Sequence, residues 1–246
     1  PTLAALERVL ASGRKAILVT GRELPELLAI LPEIGLFAWV VAENGALLYR
    51  PDTKEEKLLV KPPPPEFAER LKQRGVSPMS VGRCIVATWH PHENVVLDTI
   101  REMGLELQVI FNKDAVTVLP SGVNKASGLK AALKEMKLTP HEVVAVGDAE
   151  NDHAMMTLCE CAAAVDNALP VVKERADIVT RGNHGAGVAE LIDALVGNDL
   201  ADFEPRLKRH HLDIGVDADG QPVTLSPYGV NLLVAGPSGS GKSTAA

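Results

Sequence analysis

Apolar and polar positions along this chain follow two periods in turn. Leu3, Leu6, Val9 and Leu10 recur at helical spacing, Gly13 ends the run, and KAILVT reads as a short buried strand closing at Thr20. ELPELLAILPEI then reads as a helix, and FAWVVAENGALLY as two strands joined at Asn44-Gly45, a turn signal. From about Pro51 the texture changes to the charged DTKEEK, the punctuation KPPPP and the helical EFAERLKQRG. Two strands follow, RCIVATWH and ELQVIFN, around a helix near ENVVLDTIREMG. This stretch predicts a small α+β unit inserted into an α/β alternation. The alternation resumes at NKASGLKAALKEMKL, a helix with Leu129, Ala132, Leu133 and Met136 as its apolar positions, followed by the strand VVAVGD. A helix from about Asp152, the strand CAAAVDN, the helix LPVVKERA, a short DIVT strand and a final helix GVAELIDALVG come next. Such βα units imply a mostly parallel sheet with helices on both faces. NDLADFEPRLKR reads as a polar linker, HLDIGVDADGQPVTL as a hairpin and NLLVAGPSGSGKST as a strand running into a loop. The organisation expected is a core from residues 1–50 and 119–197, an insertion over 51–118, a linker over 198–209, and the start of a further domain over 210–246.

Composition narrows the function classes. The 246 residues are 46% hydrophobic and 23% charged, and the net charge of −7 gives no global basic surface for nucleic acid. Any polyanion site must be local. Cys84, Cys159 and Cys161 form no CxxC pair, and three cysteines suit buried thiols in a reducing compartment. No apolar run approaches the ~18 residues that span a bilayer and the N-terminus has no signal-peptide pattern, so a cytoplasmic protein without a membrane partner is expected. PTLAALERVL opens within the first turn of a helix and GKSTAA closes where another should begin, so both ends read as cut points.

Three polar clusters follow predicted strands or open a helix: Thr20-Gly21-Arg22, Lys125, and the crowded carboxylates of VVAVGDAENDHAMM. In open α/β sheets ligands collect at the carboxyl ends of the strands, where such clusters could converge. Carboxylates as close as Asp148, Glu150 and Asp152 repel one another unless a cation or a hydrogen-bond network holds them, and helix capping accounts for one of them only. A hydroxyl, a lysine and carboxylates are what phosphoryl transfer needs: the first two bind phosphate oxygens, and carboxylates hold Mg²⁺. Asp148, with Asp152 in direct or water-mediated support, is the expected metal pair, with Asn151 orienting phosphate. His90 and His92 in TWHPHEN either touch substrate or start a helix; His210-His211 read as surface residues.

LVTGR, NGA, Lys125 in NKASGL, VGDAENDHAM and AVDNALPVVKERADIVTRGNHGAGVAELI resemble the Cof-type branch of haloacid dehalogenase-like phosphatases, over roughly residues 1–196. The resemblance implies a Rossmann-like core carrying an inserted α/β cap. It also implies Thr20 as the phosphate-binding hydroxyl, Lys125 as the motif-three lysine, Asp148 and Asp152 as the acidic motif near Mg²⁺, and Asn44 as an active-site asparagine. In that family a DxDG strand before the first helix supplies the nucleophile and the general acid/base, and no such string precedes Thr2 here. Covalent phosphoryl transfer needs both groups, so the 246 residues alone are expected to be nearly inactive. Asp217 and Asp219 in VDADGQ fit DxDG but precede an alternating return strand, and Asp219-Gly220 is a hairpin turn signal. Asp217 is expected far from Asp148.

GPSGSGKS at 236–243 satisfies GxxxxGK[ST] after the apolar VNLLVA. Gly236, Gly239 and Gly241 would let backbone N–H groups wrap a β-phosphate, Lys242 would reach the β/γ oxygens, and Ser243, with Thr244 next to it, would hold Mg²⁺ of bound ATP. The last forty or so residues resemble the entry to HerA/FtsK-type P-loop ATPase domains. Two functions follow as expectations for the intact protein: a Mg²⁺-dependent phosphatase of small phosphorylated metabolites such as sugar phosphates, fused to a P-loop ATPase, or a non-catalytic phospho-ligand module that regulates that ATPase. Nucleic acid would be a partner only through the ATPase domain.

Overall fold

The structure, a computed structural model, describes residues 2–112, 114–206 and 211–225. Its elements run α1 (Thr2–Ala11), β1 (Ile17–Val19), α2 (Leu24–Ile30), β2 (Trp39–Ala42), β3 (Leu47–Arg50) and β4 (Glu55–Leu58). Next come α3 (Pro65–Gln73), β5 (Met79–Val81), β6 (Val86–Trp89), α4 (Glu93–Glu102), β7 (Leu107–Asn112) and β8 (Ala115–Pro120). The remaining elements are α5 (Lys125–Met136), β9 (Val144–Gly147), α6 (His153–Leu158), β10 (Cys161–Ala164), α7 (Pro170–Arg175), β11 (Ile178–Val179), α8 (His184–Asn198), β12 (Leu212–Val216) and β13 (Pro222–Leu225). Residues up to Gly197 form one compact unit and those from Asn198 a second.

Within the first unit, β11-β10-β9 form an all-parallel sheet, and β1-β2-β3-β4 form a sheet that is parallel at β1-β2 and antiparallel beyond. Every residue of β2 (WVVA) and β10 (CAAA) is buried, as strands covered on both faces require. Leu129 and Leu133 of α5 pack into the cluster around Ala145, Met155 and Met156, while Ala132 meets Trp39, Val41 and Leu48, so this helix bridges both sheets. Ala5 and Val9 of α1 pack on Ile192 of α8. Burying each such aliphatic side chain contributes roughly 1.5–3 kcal/mol.

A third sheet, β5-β6-β8-β7, is antiparallel throughout and has its own core of Phe67, Leu71, Val76, Val86, Val96, Val116 and Val118 beneath α3 and α4. Both expected boundaries of this insertion are displaced. Residues 55–58 are not its beginning: they are β4, a fully exposed edge strand paired with β3. Its last strand, β8, runs to Pro120, two residues past 118, because Pro120 is still paired with Leu107.

In the second unit, 201–206, expected as linker, form a 3₁₀ helix. β12 and β13 form the anticipated hairpin. The carboxylate of Asp217 accepts the N–H groups of Asp219 (2.9 Å) and Gln221 (2.8 Å), and Gly220 adopts φ +77°, so this aspartate is a turn-forming residue. The stretch 236–243 and His210 lie outside the described residues. Among the described residues no helix is long and apolar enough to cross a membrane.

Candidate active site

The carboxyl ends of β1, β2 and β9 each lead into a loop that carries polar side chains. After β1, Thr20 continues the pairing through its N–H to the carbonyl of Val41 (2.8 Å), and its Oγ1 accepts the N–H of Arg22 (3.2 Å). The hydroxyl hydrogen is thus left available to an anion. After β2, the 43–45 turn reaches back, with the N–H of Asn44 donating to the carbonyl of Thr20 (3.0 Å). Glu43 and Asn44 have φ of +52° and +54°, so the turn is held in the left-handed region. Gly45 (φ +101°) approaches α5 so closely that a Cβ would lie 2.0 Å from the carbonyl oxygen of Asn124. Only glycine fits there. That approach brings Asn44 beside the start of α5, where Asn124 and Ser127 form a reciprocal capping box and Lys125 is the first helical residue.

From β9 the chain enters the acidic loop. Asp152 is 5% exposed, and both of its oxygens are engaged: Oδ1 accepts from Lys125 Nζ at 2.6 Å, and Oδ2 from the N–H groups of Asp148 (3.1 Å) and Ala149 (3.2 Å). Asp152, expected to support a metal directly or through water, thus has protein donors on both oxygens. It braces Lys125 against the 147–149 turn, because a buried carboxylate needs such donors to offset its lost hydration. Asp148 itself is exposed at the strand end, and its carboxylate bonds to no described residue. Asn151 Nδ2 donates to Asn44 Oδ1 at 3.2 Å, while Asn151 Oδ1 is buried without a partner. A path of hydrogen bonds and adjacent residues therefore joins Thr20, Asn44, Asn151, Asp152, Lys125 and Asp148. Arg22 diverges from this group and pairs with Glu26 on the surface.

Among the described residues, no three or more His, Cys, Asp or Glu are clustered to hold a metal. Magnesium needs less, since it is commonly held by one or two protein oxygens with waters and phosphate completing the shell. Asp148 and the orphaned Asn151 Oδ1 are oxygen donors of that kind. A cavity of about 200 Å³ opens beside Asp148, lined also by Val146, Gly147, Val165, His184 and Val188. A larger concavity of about 470 Å³ lies elsewhere, lined by residues that include Lys15, Trp39 and Met136 but none of the polar convergence. Chemistry, not volume, marks the site. His90 and His92 serve the start of α4: His90 Nδ1 lies 3.0 Å from Glu93 Oε1 and His92 Nε2 lies 2.9 Å from the Ser77 carbonyl oxygen. Cys84, Cys159 and Cys161 are buried and form no disulfide.

Sequence reasoning missed Glu43. Nothing local in AENGA distinguishes it from a surface turn residue, yet it is 0% exposed.

A hydroxyl, an ammonium group and hard oxygen donors thus meet at the strand ends of an α/β fold, where such folds collect their ligands. The model of haloacid dehalogenase-like hydrolases matches residues 100–192. Phosphoglycolate phosphatase 2 of Saccharolobus solfataricus is 30% identical over 197 residues, covering 76% of this chain and 79% of that protein. The phosphoglycolate phosphatase of Methanothermobacter thermautotrophicus is 33% identical over 199 residues, covering 78% and 88%. In fold, the chain is similar to a haloacid dehalogenase-like hydrolase from Bacteroides thetaiotaomicron, with a TM-score of 0.67 at 20% identity, covering 78% of this chain and 90% of that one. The chain belongs to the haloacid dehalogenase-like hydrolases.

Proposed function

We propose that the protein is a Mg²⁺-dependent phosphomonoester hydrolase of small phosphorylated metabolites, with the antiparallel β5–β8 unit as a cap that selects the substrate. The observation that carries this reading is the hydrogen-bonded convergence of Thr20, Asn44, Lys125, Asp148 and Asn151 at one rim. In it, the Thr20 hydroxyl donates to a phosphate oxygen. Lys125 uses one ammonium hydrogen on Asp152 and offers the others to the phosphate. Asn44 and Asn151 hold each other at the rim, and Asp148 with Asn151 Oδ1 would hold Mg²⁺. When bound, that ion would neutralise charge on the phosphoryl oxygens.

The reaction also requires a carboxylate that attacks phosphorus while the bond to the leaving oxygen breaks, and a second acid that protonates that oxygen. Water then hydrolyses the acyl phosphate and releases inorganic phosphate. Among the described residues each of β1 and β9 has an unpaired edge, and Ile17 and Val19 of β1 pack into the cluster around Ala145 of β9. We place the nucleophile on a further parallel strand between those edges, where its carboxyl end comes level with Thr20 and Asp148. The nucleotide site proposed at 236–243 rests on its P-loop motif, and fusion to an ATPase rests on it likewise.

The test is phosphate release by the full-length protein from phosphoglycolate, the substrate its relatives are named for, and from a panel of sugar phosphates. Turnover is expected with Mg²⁺ and not with EDTA, and Asp148→Asn should lower it by about 100-fold or more, the order of several kcal/mol of lost charge stabilisation. No release from any phosphomonoester would leave only the non-catalytic binding module.

A further inference from the structure

Glu43 takes no part in that chemistry, yet its side chain is fully buried. A carboxylate is tolerated in such a place only when hydrogen bonds replace its water. Here both donors come from the antiparallel unit: Oε1 accepts the N–H of Arg83 at 2.9 Å and Oε2 the N–H of Cys84 at 2.6 Å. Those residues lie in the turn between β5 and β6, which the N–H of Gly82 closes onto the carbonyl of Ile85 at 2.9 Å. The carboxylate presses against that turn. A Cβ on Gly82 would lie 2.8 Å from Glu43 Oε1 and 2.9 Å from its carboxyl carbon.

Two more carboxylates hold the same hairpin. Ser80 Oγ donates to Glu23 Oε2 at 2.8 Å, directly after the Thr20–Arg22 loop, and Arg83 Nε donates to Glu56 Oε2 on β4 at 2.8 Å. Around Glu43, Ala46, Cys84, Ile85, Leu119 and Val123 form an apolar joint with Val60 against it. The chain passes from one sheet system to the other through Val60 and returns through Leu119 and Val123. Two crossings alone define a hinge axis. The docked β5–β6 turn is a third attachment beside those crossings, so movement of that turn away from residues 43–45 must break the Glu43 bonds.

We propose that Glu43 is a positioning residue that clamps the β5–β6 hairpin, and with it the whole antiparallel unit, against the loops that carry Thr20 and Asn44. The clamp and the rim share one three-residue turn, since Asn44 follows Glu43 directly. Its consequence for turnover rests on the phosphatase reading, whereas the clamp itself does not.

The experiment compares backbone amide exchange and steady-state kinetics of the full-length protein with those of Glu43→Ala and Gly82→Ala. In the parent the Arg83 and Cys84 amides should be protected. In both variants they should exchange at least about tenfold faster, the worth of one lost charge-assisted hydrogen bond, while the β10 amides stay protected. KM should rise more than kcat falls. Should Glu43→Ala fail to fold, Gly82→Ala decides, because it keeps the carboxylate and disturbs only the docking. Unchanged Arg83 and Cys84 protection in the folded variants would overturn the clamp, as would protection lost only together with β10. Lost protection with unchanged KM and kcat would overturn its role in turnover. The expected exchange pattern with no turnover even in the parent would leave the clamp standing and remove the phosphatase reading.

Discussion

Lys125 and Asp152 neutralise each other at 2.6 Å with side chains 9% and 7% exposed. Replacing one partner strands the other, so Lys125→Met should destabilise the fold by roughly 3–5 kcal/mol. Adding Asp152→Asn should recover part of that loss, and urea denaturation of the single and double variants measures the coupling. Glu43 is held by backbone amides instead. Burial raises its pKa above the ordinary carboxylate value, the Arg83 and Cys84 amides partly oppose this, and the nearby Glu23 charge adds to it; Arg83, paired with Glu56, is the cation alongside. Because the folded state then holds the proton more tightly than the unfolded chain, the contribution of this group is complete below the unfolded value. It is lost as pH rises through the folded one. The urea midpoint of the parent should therefore fall relative to that of Glu43→Gln as pH rises across this window. A pH-independent difference would refute the assignment.

At the scale of elements, α5 does most to assemble the rim, and its first turn depends on a local device. Asn124 Oδ1 accepts the Ser127 N–H at 2.9 Å and Ser127 Oγ accepts the Asn124 N–H at 3.0 Å. Asn124→Ala should cost about 1 kcal/mol, read as a lowered melting temperature. The helices α1, α5 and α8 and the strands β2, β9 and β10 were legible because each carries a continuous apolar face or run. β4 was not: its EEKL is fully exposed, and an edge strand held by backbone pairing to β3 and by surface ion pairs leaves no hydrophobic period. β5, at three residues, is too short for any period to register.

For the whole molecule, the gathering of Thr20, Lys125 and Asp148 at the strand ends could be anticipated from residue type and order along an α/β chain. The division of labour among the carboxylates could not. Asp148 and Asp152 are four positions apart and chemically identical, but one faces outward and the other is locked by Lys125, 27 residues away in sequence. Asn44 and Asn151 meet across 107 positions, and Glu43 finds its donors 40 and 41 positions on. Element periods, turns and the polar residue types at the strand ends were written in the sequence, because backbone geometry ties them to neighbours within a few positions. Which carboxylate braces, which stays free and which clamps the hairpin was decided by tertiary packing. Only packing sets which donors reach a buried charge, and a charge removed from water is stable only where those donors are.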